Sequence, residues 1–180
     1  MKKNTERLVY ISIYVALAIV FDYIKEFIPF LNMPQGGSVN IALIPVVLAS
    51  FHLGYKDGAI TGLLWWLVSS LLGLNNYIIS IGQYLCDYLF PSILPGFASL
   101  LYKEDKKYTM FISIIVVMLV RLLLLVISGA YYWPGDLAKG SLAAWIYSLS
   151  YNLPYNIATI IMLIIVIPII YKRIKNIVVR

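Results

Sequence analysis

The 180-residue chain is 62% hydrophobic and only 12% charged, with a mean hydropathy of +0.88. So little polar surface excludes a water-soluble globular protein and predicts an all-α integral membrane protein, a single domain over residues 1–180 in the lipid bilayer of the cell membrane. A net charge of +6 does not indicate a nucleic-acid partner, since the basic residues lie in short runs between apolar segments rather than along one helix face.

Six apolar runs predict a six-helix bundle, because the hydrocarbon core of a bilayer is about 30 Å thick and about 20 residues span it. The first run continues through Phe21 without a polar break, so we interpret it as a retained helix rather than a cleaved signal peptide. Gly54-Tyr55-Lys56-Asp57-Gly58 predicts a tight turn, because two glycines flank a charged pair. The predicted helices are Leu8–Ile28, Val39–Leu53, Ala59–Leu72, Tyr77–Tyr102, Tyr108–Tyr132 and Ala143–Tyr171.

The basic residues predict the orientation of the bundle. Eleven of the fourteen Lys and Arg residues lie in the N-terminal arm, the Gly54 turn, the segment 103–107 and the C-terminal tail. These segments share one side of a six-helix bundle, and positive charge favours the cytoplasmic side. We therefore expect both termini in the cytoplasm and a ligand pocket near the outer face, among connections rich in Gly, Pro, Asn and aromatic residues.

Asp87 is a carboxylate within the apolar stretch QYLCDYLFP. A charge at the centre of a membrane helix costs about 2.5–3.5 kcal/mol on insertion scales, so Asp87 should face the bundle interior or a watery cavity. One hypothesis is a structural ion pair with Arg121. The other is a cationic ligand, because rings on the same helix face would add cation–π attraction. The residues that share this predicted face with Asp87 are Tyr77, Tyr84, Tyr88 and Pro91.

The sixth predicted helix begins with aromatic side chains at four-residue spacing and an amide. Tyr147, Tyr151 and Tyr155 form either an interfacial aromatic belt or part of a ligand site. Asn152 needs hydrogen-bond partners in an apolar segment. A neighbouring helix and a ligand are equally suitable partners when Asn152 is considered alone.

The sequence contains no motif for catalysis. It has no HExxH zinc site and no nucleophile elbow, and residues 135–141 lack the G-K-[ST] ending of a phosphate loop. One histidine, His52, and one cysteine, Cys86, leave no His or Cys metal site and no internal disulfide. We therefore do not expect an enzyme, a bound metal or a cofactor.

Two small-xxx-small patterns indicate close helix contacts. Ser12 and Ala16 lie one turn apart on the first predicted helix, as do Gly58 and Gly62 at the third, and small residues at this spacing permit close approach. We expect Gly58 and Gly62 to pack within the bundle. Ser12 and Ala16 suit either internal packing or contact with a partner membrane protein.

Four motifs occur in order along the chain: MPQGGS at 33–38, Gln83-x-x-x-Asp87-Tyr88, Ser128-Gly129 and Tyr147-Ser148-Leu149-x-Tyr151-Asn152. Together they resemble the thiamine-specific S component of energy-coupling factor (ECF) vitamin transporters. The resemblance covers nearly the whole chain. It implies a six-helix bundle that binds thiamine near the outer face and docks on an ECF transmembrane coupling protein with two ATPase subunits, which hydrolyse the ATP.

The resemblance also implies roles for individual residues. The carboxylate of the fourth helix that engages the ligand matches Asp87, next to Tyr88, and the tyrosine before it on that helix matches Tyr77. The coupling motif of the first helix matches Ser12 and Ala16. The other matches to ligand-binding residues are Gly129, Trp133, Tyr147 and Asn152.

The sequence departs from that family at two positions. The histidine four residues before Gly129 is Leu125 here, and a stacking tryptophan of some members falls near Gly36. The alternatives are an S component for a related aminopyrimidine or another vitamin, an autonomous secondary transporter, and a structural subunit with Asp87 paired to Arg121. A secondary transporter needs titratable groups or broken helices along its path, and the sequence offers little of either.

Overall fold

A computed structural model of the protein describes residues 2–33, 37–74 and 77–176. Within these ranges the chain forms six main helical segments, as the apolar runs predict, together with a short 3₁₀ turn at Pro29–Leu31 and no β-strand. The fifth helix begins and ends at the predicted residues, whereas the second and fourth begin later than predicted. The five continuous α-helices are α1 (Lys2–Glu26), α2 (Leu43–Leu53), α3 (Tyr55–Leu71), α5 (Tyr108–Tyr132) and α6 (Leu142–Ile174).

The fourth segment, α4 (81–97), changes its helical geometry along its length. The side chain of Ser80 caps its start by accepting a hydrogen bond from the backbone N–H of Gln83 at 3.1 Å. Asp87 is the middle residue of a π-helical stretch, a rare geometry that frequently occurs at functional sites. The successive parts are an α-turn (Ile81–Tyr84), the π-helical stretch (Leu85–Leu89), a second α-turn (Phe90–Ile93) and a 3₁₀ turn (Leu94–Phe97).

Gly54 alone joins α2 to α3. Its φ of 100° lies in the left-handed region that favours glycine. The predicted turn from Gly54 to Gly58 is wrong in its extent, because α3 already begins at Tyr55. Asp57 therefore lies in the first turn of α3, where the helix dipole favours negative charge, and it forms an ion pair with Arg7 of α1.

Glycines bring α3 and α4 into backbone contact. A Cβ atom added to Gly58 would meet the carbonyl oxygen of Gly96 and would lie 2.7 Å from Ser50 Cα. One added to Gly62 would meet the carbonyl oxygen of Ser92. The prediction that Gly58 and Gly62 pack within the bundle is therefore confirmed.

The hydrophobic core lies between α2, the first half of α5 and the second half of α6. Its largest fully buried side chains are Leu43, Val46, Val47, Ile114, Met118, Leu163 and Ile167. Near the ends of α2 and α6, the ring of Phe51 lies 5.9 Å from that of Tyr171. At the same end, the Arg7–Asp57 pair joins the start of α1 to the start of α3. The start of α1 and the end of α6 thus lie at one end of the bundle.

We expect Gly62→Val to destabilise the folded protein, because the new side chain has to displace the backbone of α4 at Ser92. Overpacking of this kind costs about 1–3 kcal/mol, so the thermal unfolding midpoint in detergent should fall. Leu63→Ala is the control, since Leu63 is 40% exposed on the same helix, and it should change the midpoint little. A midpoint that Gly62→Val leaves unchanged would contradict backbone contact between α3 and α4.

Candidate ligand-binding site

A cavity of about 1090 Å³ lies at the end of the bundle opposite the start of α1 and the end of α6. Residues of the connections α1–α2, α3–α4 and α5–α6 line it, together with side chains from the adjoining helices. The fold thus gathers around one space residues that are far apart in sequence. The lining includes every residue that the sequence analysis assigned to ligand binding: Asp87, Tyr88, Tyr77, Gly129, Trp133, Tyr147 and Asn152.

The carboxylate of Asp87 is held through one of its two oxygens. Gln83 Nε2 and Trp133 Nε1 each donate a hydrogen bond to Asp87 Oδ2 at 2.8 Å. The other oxygen, Oδ1, forms no hydrogen bond or ion pair with any residue that the structure describes. Asp87 therefore has a fixed orientation on the cavity wall and keeps one oxygen for a bound group.

Gln83 fixes that orientation by using its whole amide group. The residue is fully buried. Its Oε1 accepts a hydrogen bond from the backbone N–H of Ile79 at 3.2 Å. Its Nε2 donates to the carbonyl oxygen of Tyr77 at 3.2 Å as well as to Asp87. The amide consequently ties the α3–α4 connection to the carboxylate.

Aromatic rings stand beside the carboxylate. The ring centroid of Tyr77 lies 5.4 Å from that of Trp133, with an angle of 50° between the planes. The hydroxyl of Tyr88 donates to the carbonyl oxygen of Tyr77 at 3.4 Å. The prediction that Tyr77 belongs to the fourth helix is wrong, because that helix begins only after the Ser80 cap. Tyr77 reaches the site from the α3–α4 connection instead.

Tyr84 is turned away from the cavity, so the predicted stripe on the fourth helix is wrong at this position. Its hydroxyl donates to Ser70 Oγ at 2.6 Å, and its ring lies 5.8 Å from that of Trp66 in α3. The ring of Tyr84 still lies 5.3 Å from that of Tyr88, four residues later, so the predicted contact between these two rings is kept. The bond to Ser70 nevertheless holds Tyr84 against α3, outside the cavity wall.

Close packing of α5 against α6 forms another wall of the cavity. Ser148 Oγ donates to the carbonyl oxygen of Val126 at 2.9 Å, and a Cβ atom on Gly129 would meet that same Oγ. Asn152 Nδ2 donates to the carbonyl oxygen of Ser148 at 2.9 Å, and its Oδ1 accepts from the hydroxyl of Tyr155. In the described part of the chain, Asn152 is therefore bonded within α6 and not to a neighbouring helix.

Arg121 does not form the ion pair with Asp87 that one hypothesis required. Its Nε donates to the carbonyl oxygen of Pro91 at 3.2 Å, and its Nη1 donates to Asn156 Oδ1 at 2.6 Å. Pro91 is a free acceptor because the residue four positions later, Pro95, has no N–H to donate. Among the described residues, the structural pairing of Asp87 with Arg121 is thus absent.

A second carboxylate on the cavity wall, Asp22, was missed in the sequence analysis. Trp65 Nε1 donates to Asp22 Oδ2 at 2.6 Å, Ser69 Oγ donates to it at 3.3 Å, and Lys25 Nζ lies 3.3 Å from Oδ1. These contacts join α1 to α3. The signal was available, because Asp22 lies in an apolar run as Asp87 does and has Lys25 one turn later.

The connection between α1 and α2 reaches across to α6. The backbone N–H of Gly37 donates to the hydroxyl of Tyr151 at 2.9 Å, and a Cβ atom on Gly37 would lie 2.7 Å from the ring of Tyr155. No sequence signal predicted this contact. Residues 34–36, which include the position near Gly36, lie outside the described residues. Leu125, at the position of the family's histidine, lines the cavity.

Ser12 and Ala16 lie on an exposed face of α1. The hydroxyl of Ser12 donates to the carbonyl oxygen of Leu8 at 3.0 Å, so it is bonded within its own helix. Val9, Ile13 and Leu17 on the same helix are also exposed. Of the two uses considered for the small residues, internal packing is therefore excluded within the described bundle, and the face is open to lipid or to another protein.

Comparison with known proteins relates the chain to transporters. A family model described as "Thiamine transporter protein" matches residues 8–179. The thiamine transporter ThiT of Bacillus subtilis (strain 168) is 38% identical over 161 residues, which cover 83% of this chain and 82% of that protein. The similarity therefore extends over nearly the full length of both sequences.

Solved structures share the fold. ThiT from Listeria monocytogenes superposes with a TM-score of 0.77 at 22% identity, covering 95% of this chain and 96% of that one. The S component of a bacterial ECF transporter gives a TM-score of 0.65 at 24% identity, covering 98% of this chain and 99% of that one. Three helices, Asn4–Glu26, Tyr108–Tyr132 and Leu142–Ile174, are long and apolar enough to cross a membrane. The chain is therefore a multi-pass cell-membrane protein, and it belongs to the thiamine transporter protein family.

Proposed function

We propose that this protein is the thiamine-binding S component of an ECF-type importer. The observation that carries the proposal is the carboxylate of Asp87, which stands in a ring-lined cavity with one oxygen that no described residue binds. Thiamine is a cation with two flat heterocycles, so it needs opposite charge and aromatic faces. The family to which the chain belongs supports this choice over other organic cations.

In the proposed binding mode, different residues of the cavity bind different parts of the ligand. Asp87 Oδ1 attracts the positive charge or accepts from the aminopyrimidine, while Tyr88, Trp133 and Tyr147 provide faces for the heterocycles. A well-placed ring adds about 0.5–2 kcal/mol to the binding of a cation. Asn152 and the glycine surface at Gly129 fix the position of the ligand. Several modest contacts in a largely closed pocket together give strong binding.

Transport in this proposal depends on other subunits. The cavity faces the outside and both termini lie in the cytoplasm, in accordance with the distribution of Lys and Arg. The exposed face of α1 at Ser12 and Ala16 docks on the ECF transmembrane coupling protein. Two ATPase subunits attached to that protein hydrolyse ATP, and this chain hydrolyses none itself.

We expect Asp87→Asn to weaken thiamine binding, because the amide keeps the shape of the side chain and removes its charge. A hydrogen bond to a charged group contributes about 1.5–3 kcal/mol, so the Kd should rise roughly 10- to 100-fold. Isothermal titration of the purified protein in detergent measures this. Asp136→Asn, which neutralises an exposed carboxylate of the α5–α6 connection, should leave the Kd unchanged. Equal affinities of Asp87→Asn and the parent would refute the role of the carboxylate.

Tryptophan fluorescence gives a second measurement of thiamine binding. A ligand stacked beside Trp133 should quench its emission, so Trp133→Phe should lose most of the change in fluorescence during a thiamine titration. Trp145 packs edge-on against Tyr131, with centroids 5.9 Å apart, and it does not line the cavity. Trp145→Phe should therefore keep the quenching. Full quenching in Trp133→Phe would contradict stacking on Trp133 and would point to Trp65, which also lines the cavity.

The docking face is tested separately from the cavity. We expect Ala16→Trp to bind thiamine with the parent's affinity but to lose co-purification with the coupling protein and thiamine uptake, because a large ring prevents close helix approach. Ile165→Trp, at a 57% exposed position of α6, is the matched control and should retain both. Normal uptake by Ala16→Trp would exclude this face as the docking surface.

The alternative ligand class is another aminopyrimidine. Leu125 presents an aliphatic side chain to the cavity where the family's histidine would supply a polar one, which removes one contact to thiamine. Titration of thiamine, its pyrimidine half and riboflavin distinguishes the possibilities. Heat of binding with the pyrimidine half but not with thiamine would favour the alternative, and heat with riboflavin alone would exclude both.

A further inference from the structure

A second cavity, of about 610 Å³, lies at the end of the bundle that holds the start of α1 and the end of α6. Its wall is formed by these two helix ends together with the end of α2, the start of α3 and the α4–α5 connection. It shares no lining residue with the cavity around Asp87. The two cavities are therefore separate sites at opposite ends of the bundle.

The start of α3 lies on the wall of this second cavity with its backbone N–H groups uncapped. Its N-cap, Gly54, has no side chain to accept from them, and the first bond of the helix runs from the N–H of Gly58 to the carbonyl oxygen of Gly54 at 3.0 Å. Among the described residues, no acceptor bonds the N–H groups of Tyr55, Lys56 and Asp57. A Cβ atom added to Gly54 would meet nothing within 4 Å. Free N–H groups and the helix dipole together attract anions to such an open helix start.

The acidic residue of this first turn is already bound. Arg7 donates to both carboxylate oxygens of Asp57, through Nε and Nη2, so each of these two charges compensates the other. Lys56, in contrast, is exposed and forms no ion pair with any residue in the described ranges. Glu104, the other acidic residue of the wall, is exposed on the α4–α5 connection. The start of α3 therefore keeps a positive charge beside its free N–H groups.

His52 gives independent evidence that an acceptor is missing from this cavity. It lines the wall and is only 8% exposed. Its Nδ1 lies 2.8 Å from the hydroxyl of Tyr14. That hydroxyl has no other acceptor among the described residues, so it donates to Nδ1, and the imidazole proton is on Nε2. Nε2 is buried and has no hydrogen-bond partner in the described part of the chain. A buried donor without an acceptor is costly, and an oxyanion in the cavity would supply one.

A lipid-facing stripe continues from this site along α3. Ile60, Leu63 and Leu67 are 40–42% exposed, and they follow Lys56 at intervals of three or four residues, which places them on one face of the helix. An amphiphile with its anionic group at Lys56 can therefore lay an acyl chain along the stripe. Basic pockets between membrane helices on the cytoplasmic side bind anionic lipid headgroups, and the distribution of Lys and Arg predicts that this end is cytoplasmic.

We propose that the start of α3, Lys56 and His52 form a binding site for a phosphate group. The backbone N–H groups donate to the phosphate oxygens, Lys56 compensates their charge, and His52 is a further donor on the wall. The lipid-facing stripe favours the headgroup of an anionic phospholipid as the source of the phosphate, and a soluble phosphate carries the same chemistry. The site does not depend on which ligand the cavity around Asp87 binds.

Two titrations of the delipidated full chain in detergent distinguish the sources. Native mass spectrometry measures binding of phosphatidylglycerol, and the thermal unfolding midpoint at constant ionic strength measures binding of inorganic phosphate. Lys56→Gln should raise the Kd about tenfold for the probe that fills the site, as expected for the loss of one charge-assisted contact. Lys106→Gln is the matched control, because it removes the same charge from an exposed position of the α4–α5 connection outside the cavity wall. It should leave the Kd unchanged.

The backbone donors are tested at Tyr55, the first residue of α3. Proline suits the first position of a helix, so Tyr55→Pro removes one N–H group and keeps the helix. It should raise the Kd roughly two- to tenfold, the effect of one hydrogen bond. Tyr55→Ala removes the same ring but keeps the N–H group, and it should bind like the parent. Thermal unfolding without added probe reports whether both variants fold.

Binding of phosphatidylglycerol that both Lys56→Gln and Tyr55→Pro weaken would support the site with a lipid as its source. The same pattern with inorganic phosphate alone would support the site with a soluble source. Equal losses in Lys56→Gln and Lys106→Gln would show only general attraction to a basic surface and would overturn the site. Failure of the parent to bind either probe, or equal affinities of Tyr55→Pro and Tyr55→Ala, would also overturn it. Thiamine binding should be the same in all four variants, so failure of this inference leaves the proposed function in place.

Discussion

The arrangement of the cavity depends on how the carboxylate of Asp87 is held. Gln83 reaches it from the first turn of α4, and Trp133 reaches it from the end of α5. One oxygen therefore joins two segments that are distant in sequence, while the other remains without a partner among the described residues. The same two contacts set the position of the indole ring and, through Gln83, of the α3–α4 connection. The carboxylate and the parts of the cavity wall beside it are thus held by a single polar network.

The bundle divides into a packed half and an open half. In the packed half, apolar side chains of α2, α5 and α6 fill the space between the helices, and Gly58 and Gly62 let α3 touch the backbone of α4. In the open half, polar contacts replace this packing. The Asp22 cluster joins α1 to α3, and the hydroxyl of Tyr151 receives the N–H of Gly37. Side chains that form these contacts do not extend into the centre of the bundle, so a cavity remains between them.

Hydropathy was sufficient to predict the order of the six helical segments, although among the described residues only α1, α5 and α6 are long and apolar enough to cross a membrane. The fifth helix was predicted to the residue, and Asp87 was found because a charge in an apolar run is costly. The predicted face of the fourth helix failed at two positions: the hydroxyl of Tyr84 turns toward Ser70 of α3, and Tyr77 precedes the helix. The partners of Arg121 were also not predictable. They depend on the missing N–H of Pro95 and on Asn156 of another helix, which only the three-dimensional arrangement brings together.

The π-helical stretch makes the chain length of α4 as important as its composition. A π-turn contains one residue more than the α-turn that it replaces, so removal of any residue between Leu85 and Leu89 would restore regular winding. Because the wider turn absorbs the extra residue, the part of α4 after the deletion would keep its rotation, and Gly96 would keep its contact with α3. Asp87, inside the stretch, would instead move around the helix and lose its alignment with Gln83 and Trp133. Related sequences should accordingly accept exchanges within this stretch far more readily than insertions or deletions.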